Sequence, residues 1–229
     1  MPTIVMVSPK GGVGKTTSAL ILADQLSQGT TVTVVDADPN RPFRNWASAG
    51  NVPDNLTIVA DADEENIIER IEEAAMKTAF VIVDLEGTGA KIVLLAVSQA
   101  DLVIIPMQGS QLDAEQAAKA LKVIKQQEKM SRRRVPYGVL LTRTNPTIRT
   151  KTTTHIQKEL RAGGIETFSA ELNEREAFRA MFSFRKTLAG LVTEDVNNLE
   201  KAINNAAAFA GEVVGRLREQ KANLQSEVA

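Results

Sequence analysis

The stretch Ser8-Pro9-Lys10-Gly11-Gly12-Val13-Gly14-Lys15-Thr16-Thr17 constrains this chain more than any other. It follows the apolar run Thr3–Val7 and precedes the helical pattern Ser18-Ala-Leu-Ile-Leu-Ala23. A strand, a glycine-rich loop and a helix are the setting a phosphate-binding loop requires. Glycines at 11, 12 and 14 let the backbone bend until successive N–H groups point inward at phosphate oxygens. The helix that begins near Gly14 adds the positive end of its dipole. In such a loop Gly11, Gly12, Val13, Gly14, Lys15, Thr16 and Thr17 line the phosphates. Lys15 sits on the β- and γ-phosphates, and the Thr16 hydroxyl on Mg²⁺. The common form of the motif has a glycine where this chain has Pro9, and the second lysine, Lys10, sits at the front of the loop.

Beyond the loop, short β-rich apolar runs alternate with helical patterns, the signature of an α/β fold with a mostly parallel sheet covered on both faces. Strands are expected at Thr3–Val7, Thr31–Val35, Leu56–Val59, Phe80–Val83, Leu102–Pro106, Tyr137–Leu141 and Glu166–Ser169, in a twisted sheet of about seven to eight strands. Helices are expected near Lys15–Gln28, Asp63–Lys77, Lys91–Ser98, Gln111–Lys129 and Thr152–Ala162. A last helix should start near Thr193, where Thr193-Glu-Asp-Val196 has the form of an N-cap followed by an acidic first turn. The whole of 1–229 reads as one P-loop domain, with residues 218–229 a frayed polar tail. Two carboxylates, Asp36 and Asp38, leave the second strand at its C-terminal end. Asp84 ends the apolar run Phe80-Val-Ile-Val, and there it would hold Mg²⁺.

The form KGGVGKTT resembles the deviant Walker A motif of the ParA/MinD ATPases. The resemblance implies that Lys10 reaches across a dimer interface to the partner's nucleotide, so that ATP bridges a homodimer. Asp36-Ala-Asp38-Pro39 is similar to that family's Walker A′ segment. It implies Asp38 as the residue that positions the attacking water, with Lys10 and Lys15 as the other catalytic residues and Asp36 supporting the Mg²⁺ shell. Asp84 matches the Walker B aspartate. The next residues, Leu85-Glu86-Gly87, depart from the family's usual prolines; Gly87 can still offer a backbone N–H near the γ-phosphate. Ala100-Asp101 through Gln108, Ser110 and Asp113 resembles a segment placed near the site or the dimer interface. Thr142 and Arg143 fall where relatives recognise the base, and ATP is the nucleotide implied. Asn40-Arg41-Pro42-x-x-x-Trp46 resembles a ParA subgroup that includes the VirC-type ATPases. The task implied is partitioning or positioning of DNA or another cargo, by slow hydrolysis stimulated by a ParB-like or other partner.

Composition narrows the partners. There is no cysteine and one histidine, which excludes disulfides and thiolate or His-rich metal sites. No signal pattern or spanning run is present, so the expected location is cytoplasmic, nucleoid-associated when ATP is bound, without stable membrane insertion. A net charge of −1 hides an asymmetry. Residues 50–90 hold ten acids against two bases, and residues 132–186 hold twelve bases against five acids. Such a basic region suits a polyanion, and non-specific DNA is the expected one. Arg149, Lys151, Arg175, Arg179, Arg185 and Lys186 are the expected phosphate contacts, interleaved from Arg175 onward with Phe178, Phe182 and Phe184. The phenylalanines at 178 and 182 could equally face the core of an amphipathic helix with the arginines outward. The chain starts at its first strand, so no separate N-terminal DNA-reading domain is expected. A MinD-like membrane-positioning ATPase and a metabolic P-loop ligase are the competing readings. The polar tail argues against the first, and Lys10 with the Asp-x-Asp-Pro segment against the second.

Overall fold

A computed structural model describes residues 1–86, 90–148 and 150–228. Its elements alternate as β1 (Thr3–Met6), α1 (Lys15–Ser27), β2 (Val32–Ala37), α2 (Pro42–Ala47), β3 (Leu56–Val59), α3 (Ile67–Lys77), β4 (Phe80–Leu85), α4 (Ala90–Ser98), β5 (Leu102–Met107), α5 (Gln111–Ser131), β6 (Tyr137–Thr144), α6 (Lys151–Ala162), β7 (Leu172–Asn173), α7 (Glu176–Ser183) and α8 (Leu199–Val228). The strands form one seven-stranded sheet in the order β3-β2-β4-β1-β5-β6-β7, and every pairing is parallel.

The strands are apolar at successive positions because both faces are covered. Side chains alternate along each strand, so Ile4, Met6, Val34, Ile82 and Ile104 pack on one face under α1, α2, α7 and α8. Val5, Val35, Val83, Val103 and Val139 pack on the other face under α3, α4, α5 and α6. The acidic segment 50–90 contributes β3, α3 and β4, whereas the basic segment 132–186 builds β6, β7, α6 and α7. The charge asymmetry of the sequence thus becomes an asymmetry across the sheet.

Three local expectations change. The strand expected at Glu166–Ser169 is reduced to a single bridge, Val139 with Thr167, and the ladder forms further on, at β7. Here the Glu212 carboxylate on α8 takes the Ser169 and Ala170 N–H groups at 3.0 and 2.7 Å, which replaces a sheet partner. Arg216, one turn on, holds Glu212 and the Thr167 carbonyl and lies 4.1 Å over the Phe168 ring. The last helix starts at Leu199 rather than near Thr193, because Asn198 adopts a φ of +56° and Asp195 is spent accepting from Val192 N and Lys186 Nζ. It then continues to Val228 through residues expected to fray, where no glycine or proline interrupts it. The short helix α2, which begins with Pro42 at its first turn, was not expected.

One buried charge sits far from the ligand edge. Asp24 on α1 is 1% exposed, and burial pushes its carboxyl up to about 6 against the help of Gln25 and the Leu188 N–H. A folded-state value above the unfolded one means that the protonated form is favoured by folding. The contribution of this group is therefore fullest below about pH 4 and is lost as pH rises through 6, by on the order of 3 kcal/mol. Asp24→Asn is expected to raise the melting temperature by several degrees at pH 7.5 and to leave it unchanged at pH 4, as read by scanning calorimetry.

Candidate nucleotide site

Five adjacent strands deliver their C-terminal ends to one crevice, the place where open α/β sheets bind ligands. β1 leads into the loop 8–14, and α1 starts behind it at Lys15. Gly12 and Gly14 have φ of +75° and +96°, conformations that a side chain makes costly. The loop is tied down from two neighbouring strands. The Thr142 hydroxyl at the end of β6 sits 2.7 Å from the Val13 carbonyl and 3.1 Å from that of Met107. The Gln108 amide, just beyond β5, donates to the Gly12 carbonyl at 3.2 Å.

The two lysines occupy different environments. Lys15 is buried, its ammonium donates to the Lys10 carbonyl at 3.3 Å, and burial lowers its pKa against the pull of Asp84, Asp38 and Glu86. Lys10 is 40% exposed at the mouth, and its ammonium meets the buried Asp113 carboxylate at 2.7 Å. Asp113 is itself held by the Ser110 hydroxyl, the N-cap of α5.

The carboxylates separate as clearly. The β2–β4 register sets Asp36 beside Asp84. Asp36 is fully occupied by backbone donors: Asp38 N at 3.3 Å on one oxygen, Phe43 N at 2.9 Å and Arg44 N at 3.3 Å on the other. It thereby caps α2, a role that sequence reasoning missed. The Arg41 guanidinium locks the same corner through the Asp36 and Ala62 carbonyls, at 2.6 and 2.8 Å. Asp38 is half-buried and accepts from both nitrogens of Asn40.

Asp84 is buried, and among the described residues neither of its oxygens receives a hydrogen bond of good geometry. Burial raises its carboxyl to about 7; the Thr16 hydroxyl and Lys15 oppose that shift, while Asp36 and Asp38 add to it. A buried carboxylate without a donor is what a cation would stabilise, so the residues present fit Mg²⁺. No group of three or more His, Cys, Asp or Glu among the described residues could chelate a metal by itself.

The remaining predicted residues scatter. Arg143, with φ +51°, is exposed beside the loop. Lys151 is exposed at the start of α6, Arg179 pairs with Glu174 at 3.1 Å, and Lys186 pairs with Asp195 at 3.1 Å. Exposed Arg185 bonds Ser48 on the other side of a seam with α2. Arg175 is half-buried against Asn173. Phe178 is buried, Phe182 packs on the core and Phe184 is exposed. Trp46 is buried, its indole donating to the Met181 carbonyl at 3.0 Å. Gly87 and Arg149 lie outside the described residues.

A glycine loop with a lysine at each end, set on a wholly parallel sheet beside a buried aspartate, defines a P-loop protein of the ParA/MinD class. The chain belongs to the VirC1 protein family, which matches residues 1–210. It is 40% identical over 220 residues to Protein ParA of Rhizobium radiobacter, covering 96% of this chain and 99% of that protein. Among solved structures, a ParA family ATPase from Chlorobium tepidum TLS superposes with a TM-score of 0.69 at 17% identity, over 91% of this chain and 97% of that one. An AMPPNP-bound putative plasmid partition protein from Borrelia burgdorferi B31 gives 0.65 at 20% identity, over 92% and 99%.

The loop geometry can be tested without any ligand. Gly14→Ala must hold a side chain at φ +96°, so it should lose about 1–2 kcal/mol of stability in urea unfolding. Gly11→Ala has open space and no positive φ, and should stay within about 0.5 kcal/mol of the parent.

Proposed function

We propose that this protein is an ATP-dependent switch that partitions or positions a DNA molecule or another cargo. ATP would bind on the loop Gly11–Thr17. Asp84 and Thr16 would hold Mg²⁺, with Asp36 behind them, and the metal would supply charge neutralisation for the phosphates. Lys15 stays with the nucleotide of its own chain, and Asp38 orients the attacking water. Lys10 serves the partner's nucleotide in a sandwich homodimer.

The observation that carries this reading is the division between the lysines. Lys15 is buried among carboxylates, whereas the Lys10 ammonium stands at the mouth on a single carboxylate, Asp113, that it can leave. Dimerisation would pair the basic surfaces of two protomers and raise DNA affinity by effective concentration. Hydrolysis, slow until a partner protein stimulates it, would remove the γ-phosphate contacts and release the dimer. The 40% identity to a protein called ParA, over nearly the whole of both chains, supports the partition task. Among the described residues no helix is long and apolar enough to cross a membrane.

Sedimentation velocity with ATP and Mg²⁺, with ADP, and with no nucleotide tests the switch. A dimer should form with ATP alone. Lys10→Ala should remain monomeric while binding ATP within a few-fold of the parent; if it dimerises like the parent, the sandwich reading fails. Asp38→Ala should bind ATP and lose at least about tenfold in turnover, since positioning the nucleophile carries an effect of that size or larger. For DNA, binding should weaken steeply with salt, and Arg185→Ala should lower both affinity and salt slope. Affinity indifferent to salt would remove DNA from the proposal.

A further inference from the structure

Helix α5 carries charge that the nucleotide site does not use. Its buried side is formed by Ala117, Ala120, Leu121 and Ile124, packed over the sheet beside β5. On the opposite side Lys119, Lys122, Lys125 and Lys129 are all exposed. At 3.6 residues per turn these lysines lie within an arc of about 120° and span about 15 Å along the helix axis. None of them has an ion pair or hydrogen bond among the described residues. Glu115 is the one acid of α5 on that arc, and it leaves Lys119 unpaired. Glu128, on the flank, is spent on the Val135 N–H at 2.8 Å. The adjoining helix α4 contributes no acid anywhere along Ala90–Ser98. Arg132, exposed at the C-cap of α5, prolongs the row.

A helix surface gains from opposite charges three or four residues apart and loses about as much from like ones. Here the spacings 119–122, 122–125 and 125–129 all set lysine against lysine. The helix dipole favours Lys129, in the last turn, and not the other three. Self-repulsion kept along three turns is relieved by an extended anion, and four charges strung over about 15 Å do not converge on a small one. The face also discriminates among polyanions. Between Lys119 and Lys129 the other exposed position is Gln126, so no bulky apolar side chain stands ready to enter a bilayer. Nor has α5 an aromatic residue on which the bases of a single strand could stack. Several of the bases expected from the sequence are, by contrast, already engaged: Arg179 with Glu174, Lys186 with Asp195 and Arg185 with Ser48.

We propose that the lysine row of α5 is a docking surface for the phosphate backbone of duplex DNA, gripped without regard to sequence. This rests on the DNA reading of the switch and deepens it, because the row lies outside the basic segment 132–186. Helix α5 begins at the mouth of the nucleotide site, where Asp113 holds Lys10 and is itself held by Ser110. The row starts about 9 Å along the helix from Asp113, so a sandwich dimer would extend two such rows from one interface.

The test measures binding to a mixed-sequence duplex by fluorescence anisotropy, with ATP and Mg²⁺, across a series of salt concentrations. The triple variant Lys122→Gln, Lys125→Gln, Lys129→Gln should bind at least about tenfold more weakly at low salt, and its plot of log affinity against log salt should be shallower by about 2 to 3. Its ATP-dependent dimer in sedimentation velocity should match the parent's. A control triple of the same charge change, Lys91→Gln, Lys201→Gln, Lys221→Gln, should keep the parental slope to within about 1. Parental affinity and slope in the α5 triple overturn the proposal, and if Arg185→Ala still weakens binding the DNA reading itself survives. Equal losses in both triples indicate net charge alone and overturn it, as does a DNA loss that accompanies loss of the dimer. Vesicles rich in phosphatidylserine form the second arm. A loss on vesicles with none on the duplex assigns the row to a membrane and refutes the proposal. A parent that shows no salt-sensitive duplex binding refutes both the row and the DNA reading.

Discussion

Holding a carboxylate away from water with no well-formed hydrogen bond among the described residues is costly, and the ligand edge of this protein is organised around that cost at Asp84. The residue cannot move outward, because it is locked in register between β1 and β2 in the middle of the sheet. Lys15 is drawn into the same pocket, and its own burial lowers its pKa for the same reason. Each charge is tolerated because the other is near, and Lys15 adds one long bond to the Lys10 carbonyl, at 3.3 Å. A site in that state favours a ligand that brings both a cation and an anion, which is what a metal–phosphate pair offers.

The neighbouring carboxylate illustrates the opposite solution. Asp36 sits one strand over with three N–H groups around it, and these come from the turn and helix that follow β2. Arg41 adopts φ +48° and spends its guanidinium on two carbonyls, and Trp46 carries the helix across to Met181 on α7. The segment from Asp36 to Trp46 is therefore a brace between the ligand edge and α7. Asn51 and Arg185 continue the same seam, with Ser48 as the second contact of Arg185. Asp38 stands between the brace and the open crevice, so its carboxylate is positioned by the backbone that Asp36 fixes.

Much of the fold was legible in the sequence because a parallel sheet buried on both faces demands continuous apolar runs, and helices between them demand their own period. Leu56–Val59 was found residue for residue, and the other long strands within three residues at either end. The errors fell where a distant group replaced a local one. Glu212 on α8 satisfies Ser169 and Ala170 and so removes the strand expected there. Arg133 bonds the Ser98 and Ala100 carbonyls, so part of the charge counted in the basic segment 132–186 is structural. Arg175 reads as one more base in a basic run, and only its surroundings show that it is half-buried and bonded to Asn173.

The sequence by itself determined the phosphate loop, because the conformations at Gly12 and Gly14 and the charges at Lys10 and Lys15 are properties of those residues in that order. It likewise determined the aspartate at the end of the fourth strand, since strand period and a terminal carboxylate are local. What only the tertiary structure decided is which charges are spent. Asp36, Lys10, Arg41 and Arg175 are all polar residues in promising places, but their partners lie up to 103 residues away along the chain or face them only after the sheet has formed. Desolvation and hydrogen bonding depend on that assembled neighbourhood, so Lys10 at the mouth and Asp84 in the dry floor acquire their roles from packing that no single segment encodes.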